Sequence, residues 1–397
     1  MINKSVIIIV QKMHEGRKMM ENANRKKWRY ISMAFSLAVY LLCAMAISRV
    51  AVGYVYAEMQ IYEVFLLLVG LFAAVSIAQI LQTIIHEAGH LVFGFMSGYK
   101  FGSFRIFSFM WVKRNDKIKL CRLSIAGTAG QCLMAPPDMA DGKIPVVLYN
   151  LGGSIMNFVV SGIALGVYFA ISRSSIFCAL LPVFALVGFA AAILNGVPMK
   201  TEYMNNDGYN ALELTRSADV MRAFWVQMKV GEALKNGVRL KDMPEEWFVT
   251  PSDEDMKNGL IAAIGVLSCN RMMDERRFDE ADALMKHMLE IDSGIVGSHR
   301  GLMICDRIFI ELIGQNRRDV IDDMLDDAQK KFMKRMKSFI SVIRTEYAYA
   351  LLYENDKKRA EMLKDQFETW AKCYPYQADA ASERELLAMA DQRANQD

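Results

Sequence analysis

VFLLLVGLFAAVSIAQILQTIIHEAGHLVFGF, residues 64–95, decides how the chain is read. From Val64 to Ile85 the run is apolar, broken only by Ser76, Gln79, Gln82 and Thr83, and has about the length of a bilayer-crossing helix. It runs directly into His86-Glu87-Ala88-Gly89-His90, with Leu91, Val92, Phe93 and Phe95 behind. Imidazoles and carboxylates are costly in lipid, and inside a span they mark function. At about 1.5 Å per residue, His86 stands roughly 33 Å from Val64, so it falls at one edge of the hydrocarbon layer.

Three further apolar runs, Ile31 to Ser48, Val146 to Ser172 and Ser175 to Val197, complete a polytopic helical membrane core of about four spans. The last two are rich in Gly and Ala, which lets helices approach closely. Composition agrees. A 397-residue chain that is 53% hydrophobic and 23% charged must concentrate its apolar residues, and nearly all the long runs precede residue 200. A net charge of +3 gives no footprint for a polyanion, so no nucleic acid is expected. The seven cysteines are scattered, which suits reduced thiols better than a disulfide framework. Val6 to Val10 is too short for a signal-peptide core, so no cleaved leader is expected.

Lysine and arginine set the orientation. Residues 1–30 are basic, with Lys4, Lys12, Arg17, Lys18, Arg25, Lys26, Lys27 and Arg29. So is the 100–145 link, with Lys100, Arg105, Lys113, Arg114, Lys117, Lys119, Arg122 and Lys143. The other two links carry only Arg49 and Arg173. Alternating crossings then put both termini and the long link in the cytosol. Within that link, Phe101 to Val112 is aromatic and partly alternating, Arg114-Asn115-Asp116 offers a turn, and Ile118 to Ile125 reads as a second strand. A small membrane-associated β-hairpin at about 101–125 follows, either structural or pairing with an extended substrate.

Beyond Asp207 no run is long enough to span. Leu284, Met285, Met288 and Leu289 lie at helical spacing, as do Ile308, Ile310, Leu312 and Ile313, and then Tyr347, Ala350, Leu351 and Leu352. Arg277 to Ala281 looks like the second helix of a tetratricopeptide-type repeat, although no clean period of about 34 residues recurs. The expected organisation is a basic segment over 1–30, the membrane core over 31–208, and a soluble α-helical, repeat-like domain over 209–397. That domain reads as a module for a protein partner or for regulation.

The chemistry lies at residues 86–90. His86 and His90, four apart, share one helix face and can present imidazole nitrogens to a single metal ion. Glu87 sits beside it, where a carboxylate can take a proton from water and return it to a leaving amine. Zinc suits two imidazoles plus a carboxylate, with a fourth position for water. His14, His287 and His299 lie in the polar tail and the C-terminal domain, and read as ordinary surface or packing histidines. Asp207, in the Asn206-Asp207-Gly208 turn on the same side as His90, is the candidate third ligand; its other reading is a helix N-cap.

These elements resemble the site-2 protease family of intramembrane metalloproteases. That family carries His-Glu-x-x-His on one core helix, Asp-Gly after Asn-x-x-Pro on another, and often Gly-x-x-x-Asn on a middle helix. Here they are His86 to His90, Asn195 to Pro198 with Asp207-Gly208, and Gly153 to Asn157, over about residues 60–210. The gap from Pro198 to Asp207 is longer than is usual and holds Lys200 and Glu202, which makes Glu202 a rival third ligand. Ser154 stands where proline is common, and no PDZ-like insertion separates the core helices. The resemblance implies one Zn2+ per chain and an Asn157 that helps hold substrate or oxyanion. The residues alone equally allow a buried asparagine bridging helices.

The expected function is that of a zinc endopeptidase that cuts a membrane-spanning or membrane-inserted peptide. The setting is the plasma membrane of a bacterium, since the four-span core has no extracellular domain. The alternative is a membrane-anchored scaffold whose helical domain binds a partner, with a structural or vestigial metal site. The intact Glu87 argues against that, because a structural site needs no base beside its ligands. A transporter has less support, for no inverted repeat is evident.

Overall fold

The computed structural model describes residues 30–53, 55, 59–114, 117–123, 128–171, 176–199 and 205–396. The basic N-terminal segment up to residue 29, the Asn115-Asp116 turn and the rival ligand Glu202 lie outside them. Four helices are long and apolar enough to cross a membrane, as the four runs predict: α1 (Tyr30–Val52), α2 (Ile61–Met96), α3 (Val147–Ala170) and α4 (Ile176–Gly196). With 36 residues α2 outruns its apolar stretch, so the His-Glu motif lies inside a continuous helix rather than at its end. The helix stops at Gly98, whose left-handed φ of 82° suits a residue without Cβ, and the Tyr99 N–H donates back to the Gly94 carbonyl.

Contacts divide the chain into two compact units, Met1–Gly89 with Asn150–Leu212, and His90–Tyr149 with Glu213–Asp397. In the first, Ile47 of α1, Ala78 of α2, and Val183 and Val187 of α4 form a small shared core. Glycine sets how near the helices come. A Cβ on Gly89 of α2 would lie 2.3 Å from the Gly152 carbonyl oxygen of α3, and one on Gly188 of α4 would lie 2.0 Å from the Ser161 hydroxyl. The outer flanks keep Leu42, Phe65, Phe72, Phe158 and Phe169 uncovered.

In the second unit the predicted hairpin is part of a larger sheet. Strands β1 (Lys100–Ile106), β2 (Phe109–Arg114), β3 (Lys117–Arg122) and β4 (Gly130–Ala135) pair antiparallel in the order β3-β2-β1-β4. Phe101 to Val112 is not one strand, because the chain reverses at Phe107-Ser108, with Phe107 at φ 52°. Met110 and Val112 turn one face of the sheet into the core of the helical part, while Phe109, Trp111, Ile118 and Leu120 stay exposed on the other.

The remainder is helical: α5 (Asp207–Leu214), α6 (Ala218–Lys235), α7 (Gly259–Asp274), α8 (Phe278–Glu290), α9 (Gly297–Ile313), α10 (Arg318–Met324), α11 (Asp327–Arg335), α12 (Ile340–Ala348), α13 (Lys357–Cys373) and α14 (Gln377–Ala394). Met285, Met288, Ile308, Phe309, Ile343 and Phe367 are at its centre. Three helix pairs, α7–α8, α9–α10 and α12–α13, each turn through one left-handed residue, Arg276, Asn316 and Asn355, which stand 40 and 39 positions apart. The three turns thus share a backbone conformation at a spacing of about 40 positions, with no side-chain signature in common.

Candidate metal centre

The one-turn spacing on α2 does what the pentapeptide predicts. One ligand-capable atom each from His86, His90 and Asp207 lies within 4.8 Å of the other two. The unit boundary falls between Gly89 and His90, inside α2, so His90 keeps its helical place one turn beyond His86. Glu87 is buried on the same helix with 7% of its surface exposed.

Both rings are held through Nδ1. That of His86 lies 2.7 Å from Asn157 Oδ1. The other end of Asn157 donates to the backbone oxygen and Oε1 of Gln82, at 2.9 and 2.7 Å, so Oδ1 is the acceptor and His86 Nδ1 carries the proton. His90 Nδ1 lies 2.7 Å from the Tyr149 carbonyl oxygen, which can only accept. That carbonyl is itself fixed, since the Tyr149 ring stacks on Tyr99 at 4.6 Å and its hydroxyl donates to the Cys132 carbonyl. In a neutral imidazole this places the lone pair of each histidine on Nε2.

His86 Nε2 lies 3.0 Å from Asp207 Oδ2. A lone pair and a carboxylate oxygen repel unless a positive charge, a proton or a metal ion, stands between them. The donor set, two imidazole Nε2 atoms and one carboxylate, is one that zinc accepts. Gly153 supplies the space: a Cβ there would lie 2.5–2.6 Å from three atoms of the His86 ring. Gly153 and Asn157 are one turn apart on α3, so the first makes room for the ring and the second orients it.

Asp207 is brought in by Asn206. The Asn206 amide donates to the Leu194 and Val197 carbonyls at the end of α4, at 2.8 and 2.6 Å. Its Oδ1 accepts the Met199 and Tyr209 N–H groups, both at 2.9 Å. The capping role at the start of α5 therefore belongs to Asn206, and Asp207 is the first residue inside the helix. Gly208 allows the docking, since a Cβ would lie 2.1 Å from the Gly196 oxygen.

Three contributors are missing from the sequence reading. Gln82 ties the α2–α3 pair to α4 by donating to Ser161 Oγ at 3.3 Å and the Phe184 carbonyl at 3.2 Å. Its signal was available: it precedes His86 by one helical turn, as Asn157 precedes Ser161. Asn206 was visible as a turn residue but not as a clasp. The Tyr149 carbonyl is backbone and has no side-chain signal at all. Asn157 is fully buried with both polar ends engaged by His86 and Gln82, the geometry of an asparagine that joins helices. No family model, no curated protein and no solved structure matches the chain.

Proposed function

We propose that this chain is an intramembrane zinc endopeptidase of the site-2 kind, with His86, His90 and Asp207 as its ligands and Glu87 as its proton carrier. One observation carries the reading: two histidines whose Nδ1 atoms face Asn157 and the Tyr149 carbonyl stand with a carboxylate from a distant part of the chain, one ligand-capable atom of each within 4.8 Å of the others. Bound there, zinc supplies a Lewis acid that acidifies a water molecule and polarises a peptide carbonyl. Glu87 takes the proton that the water gives up and delivers it to the departing amine, so the oxygen ends on the acyl carbon and the hydrogen on nitrogen. Its burial keeps bulk water from competing for that proton.

Asn157 and the Tyr149 carbonyl act as positioning groups that fix the tautomer of both rings and turn them one way. Asn157 is assigned that role in preference to an oxyanion contact, because its amide is already spent on Gln82. The lysine and arginine bias favours a site at the cytosolic face of a bacterial plasma membrane, with both termini cytosolic. An outer strand of the sheet offers backbone groups with which an unwound, membrane-derived substrate strand can pair.

The test uses the full chain in detergent or proteoliposomes, with metal content and cleavage of a panel of tagged single-span helices as readouts. Glu87→Gln is expected to keep its zinc and lose cleavage, and Asp207→Ala to lose zinc. Undiminished cleavage by Glu87→Gln overturns the mechanism. Protein purified without chelator that carries no metal favours the scaffold reading.

A further inference from the structure

A cavity of about 360 Å³ lies wholly within the helical part of the second unit, walled by α6, α7, α9, α12 and α14. Much of its wall is apolar, including Val266, Leu302 and Leu386, yet four ionisable side chains of one cluster also line it: Asp306, Arg344, Asp379 and Glu383. The Arg344 guanidinium is completely buried. Its Nη2 is engaged by Asp306, Ser341 and Thr345, while Nε and Nη1 have no hydrogen-bond partner. Glu383 Oε2 lies 3.4 Å from that Nε and is also without a hydrogen bond.

Charge does not balance here. Three carboxyl groups line the cavity with one guanidinium, which reaches Asp306 and Glu383 but not Asp379. A fourth at the margin, Asp274, is already held by Arg239, Ser382 and the Lys241 N–H. His299, on the α9 wall, adds no cation, since burial lowers its pKa. Asp379 and Glu383 are one turn apart on α14, on one face, and both are half-buried residues of the cavity wall. Two acids side by side against apolar walls are a costly arrangement unless a cation joins them.

We propose that this cavity is a binding site for the ammonium end of a free amino acid or short peptide. Asp379 and Glu383 receive the ammonium group, and Arg344, in the wall of the same cavity, supplies the one fixed positive charge beside them. The size fits: ligand pockets start at about 300 Å³, which takes a few residues of peptide and no folded partner. Burial, reinforced by the neighbouring acids, raises both carboxyls to about 7. Near neutral pH each therefore gives up a proton readily when an ammonium ion takes its place. The inference does not depend on the metal centre.

Calorimetric titration of the full chain in detergent tests it with four probes: leucine, Ala-Leu-Ala, its N-acetyl form and its C-terminal amide. Leucine or the tripeptide is expected to bind saturably, and N-acetylation to weaken binding about tenfold or more through loss of the charged donor. Leucine alone binding identifies a free amino acid as the source, whereas the tripeptide and its amide binding alike identify a peptide N-terminus. Asp379→Asn and Glu383→Gln are each expected to weaken the preferred probe by a similar factor. Binding of the acetylated peptide as tight as that of the free one overturns the proposal, and so does the absence of binding by all four probes at millimolar concentration. The acetylation contrast is read on the wild-type protein, so it holds even if a variant misfolds.

Discussion

Asn157 Oδ1 lies 2.7 Å from His86 Nδ1, and that bond decides which nitrogen of the ring faces Asp207. Replacing it by Asn157→Leu removes the acceptor and leaves the ring free to turn or change tautomer. Zinc affinity is expected to fall about 10- to 100-fold, the usual effect of losing such an outer partner. Asn157→Asp keeps the acceptor for His86 Nδ1 but sets its second oxygen against the Gln82 backbone carbonyl, so it is expected to hold more zinc affinity than Asn157→Leu at a cost in stability. Competition titration against a zinc chelator distinguishes the two variants. Equal affinity for wild type and Asn157→Leu would remove the asparagine from the account.

Asn206 makes the corresponding prediction for the third ligand. Its side chain makes four hydrogen bonds that bind the end of α4 to the start of α5. Asn206→Ala breaks all four and is expected to cost about 1–2 kcal/mol of stability as a lost cap. Zinc affinity is expected to fall towards that of Asp207→Ala, because the carboxylate loses its anchor. An Asn206→Ala protein that binds zinc as wild type does would show that Asp207 finds its place without the clasp.

Much of this was legible before any coordinates. The four spans were plain because each is a run of apolar residues longer than a soluble core strand needs. His86, Glu87 and His90 were plain because helical spacing alone brings i and i+4 to one face. The proposed third ligand is harder to see, because Asp207 is 117 residues beyond His90 and only the packing of α2, α3 and α4 brings it near. Asn157 carried two readings that differ in whether its amide is free, and hydrogen bonding is a tertiary fact. β4 was missed because Gly130-Gln131-Cys132-Leu133-Met134-Ala135 lacks the β-branched alternation that marks a strand. The recurrence of the left-handed turns is not legible in the sequence because they fall on Arg276, Asn316 and Asn355, two different residue types.

The glycines of the first unit separate into two groups with opposite expectations. Gly89→Ala would drive a Cβ to within 2.3 Å of the Gly152 carbonyl, a backbone atom that cannot swing aside. Such overpacking costs about 1–3 kcal/mol. Gly162 and Gly166 of α3 have nothing within 4 Å of the same position. Alanine there is expected to be neutral or to stabilise by up to about 1 kcal/mol through helix propensity. Thermal unfolding in one detergent orders the three variants, and a Gly89→Ala protein as stable as Gly166→Ala would refute the close helix crossing.

Stability of the helical part should fall as pH rises towards neutrality, and Asp379 and Glu383 set the sign. Their ordinary values are 3.8 and 4.5, and burial raises both to about 7 in the folded chain. Between those limits the folded state holds protons that the unfolded state has released, so each unit of pH lowers the free energy of unfolding. Below the unfolded values both states are protonated and the effect vanishes; above about 7 the destabilisation is complete. Asp274 and Glu385, whose carboxyls lie below their ordinary values, act with the opposite sign but only in the acid region. His299, lowered by burial, opposes the trend below its ordinary 6.5. The net slope is therefore best read as a difference. The thermal midpoint of wild type is expected to drop by several degrees from pH 5 to pH 8 relative to Asp379→Asn/Glu383→Gln, which lacks both protons in either state. Parallel profiles for the two proteins would mean that these carboxyls titrate as ordinary surface acids, open to water in the folded chain.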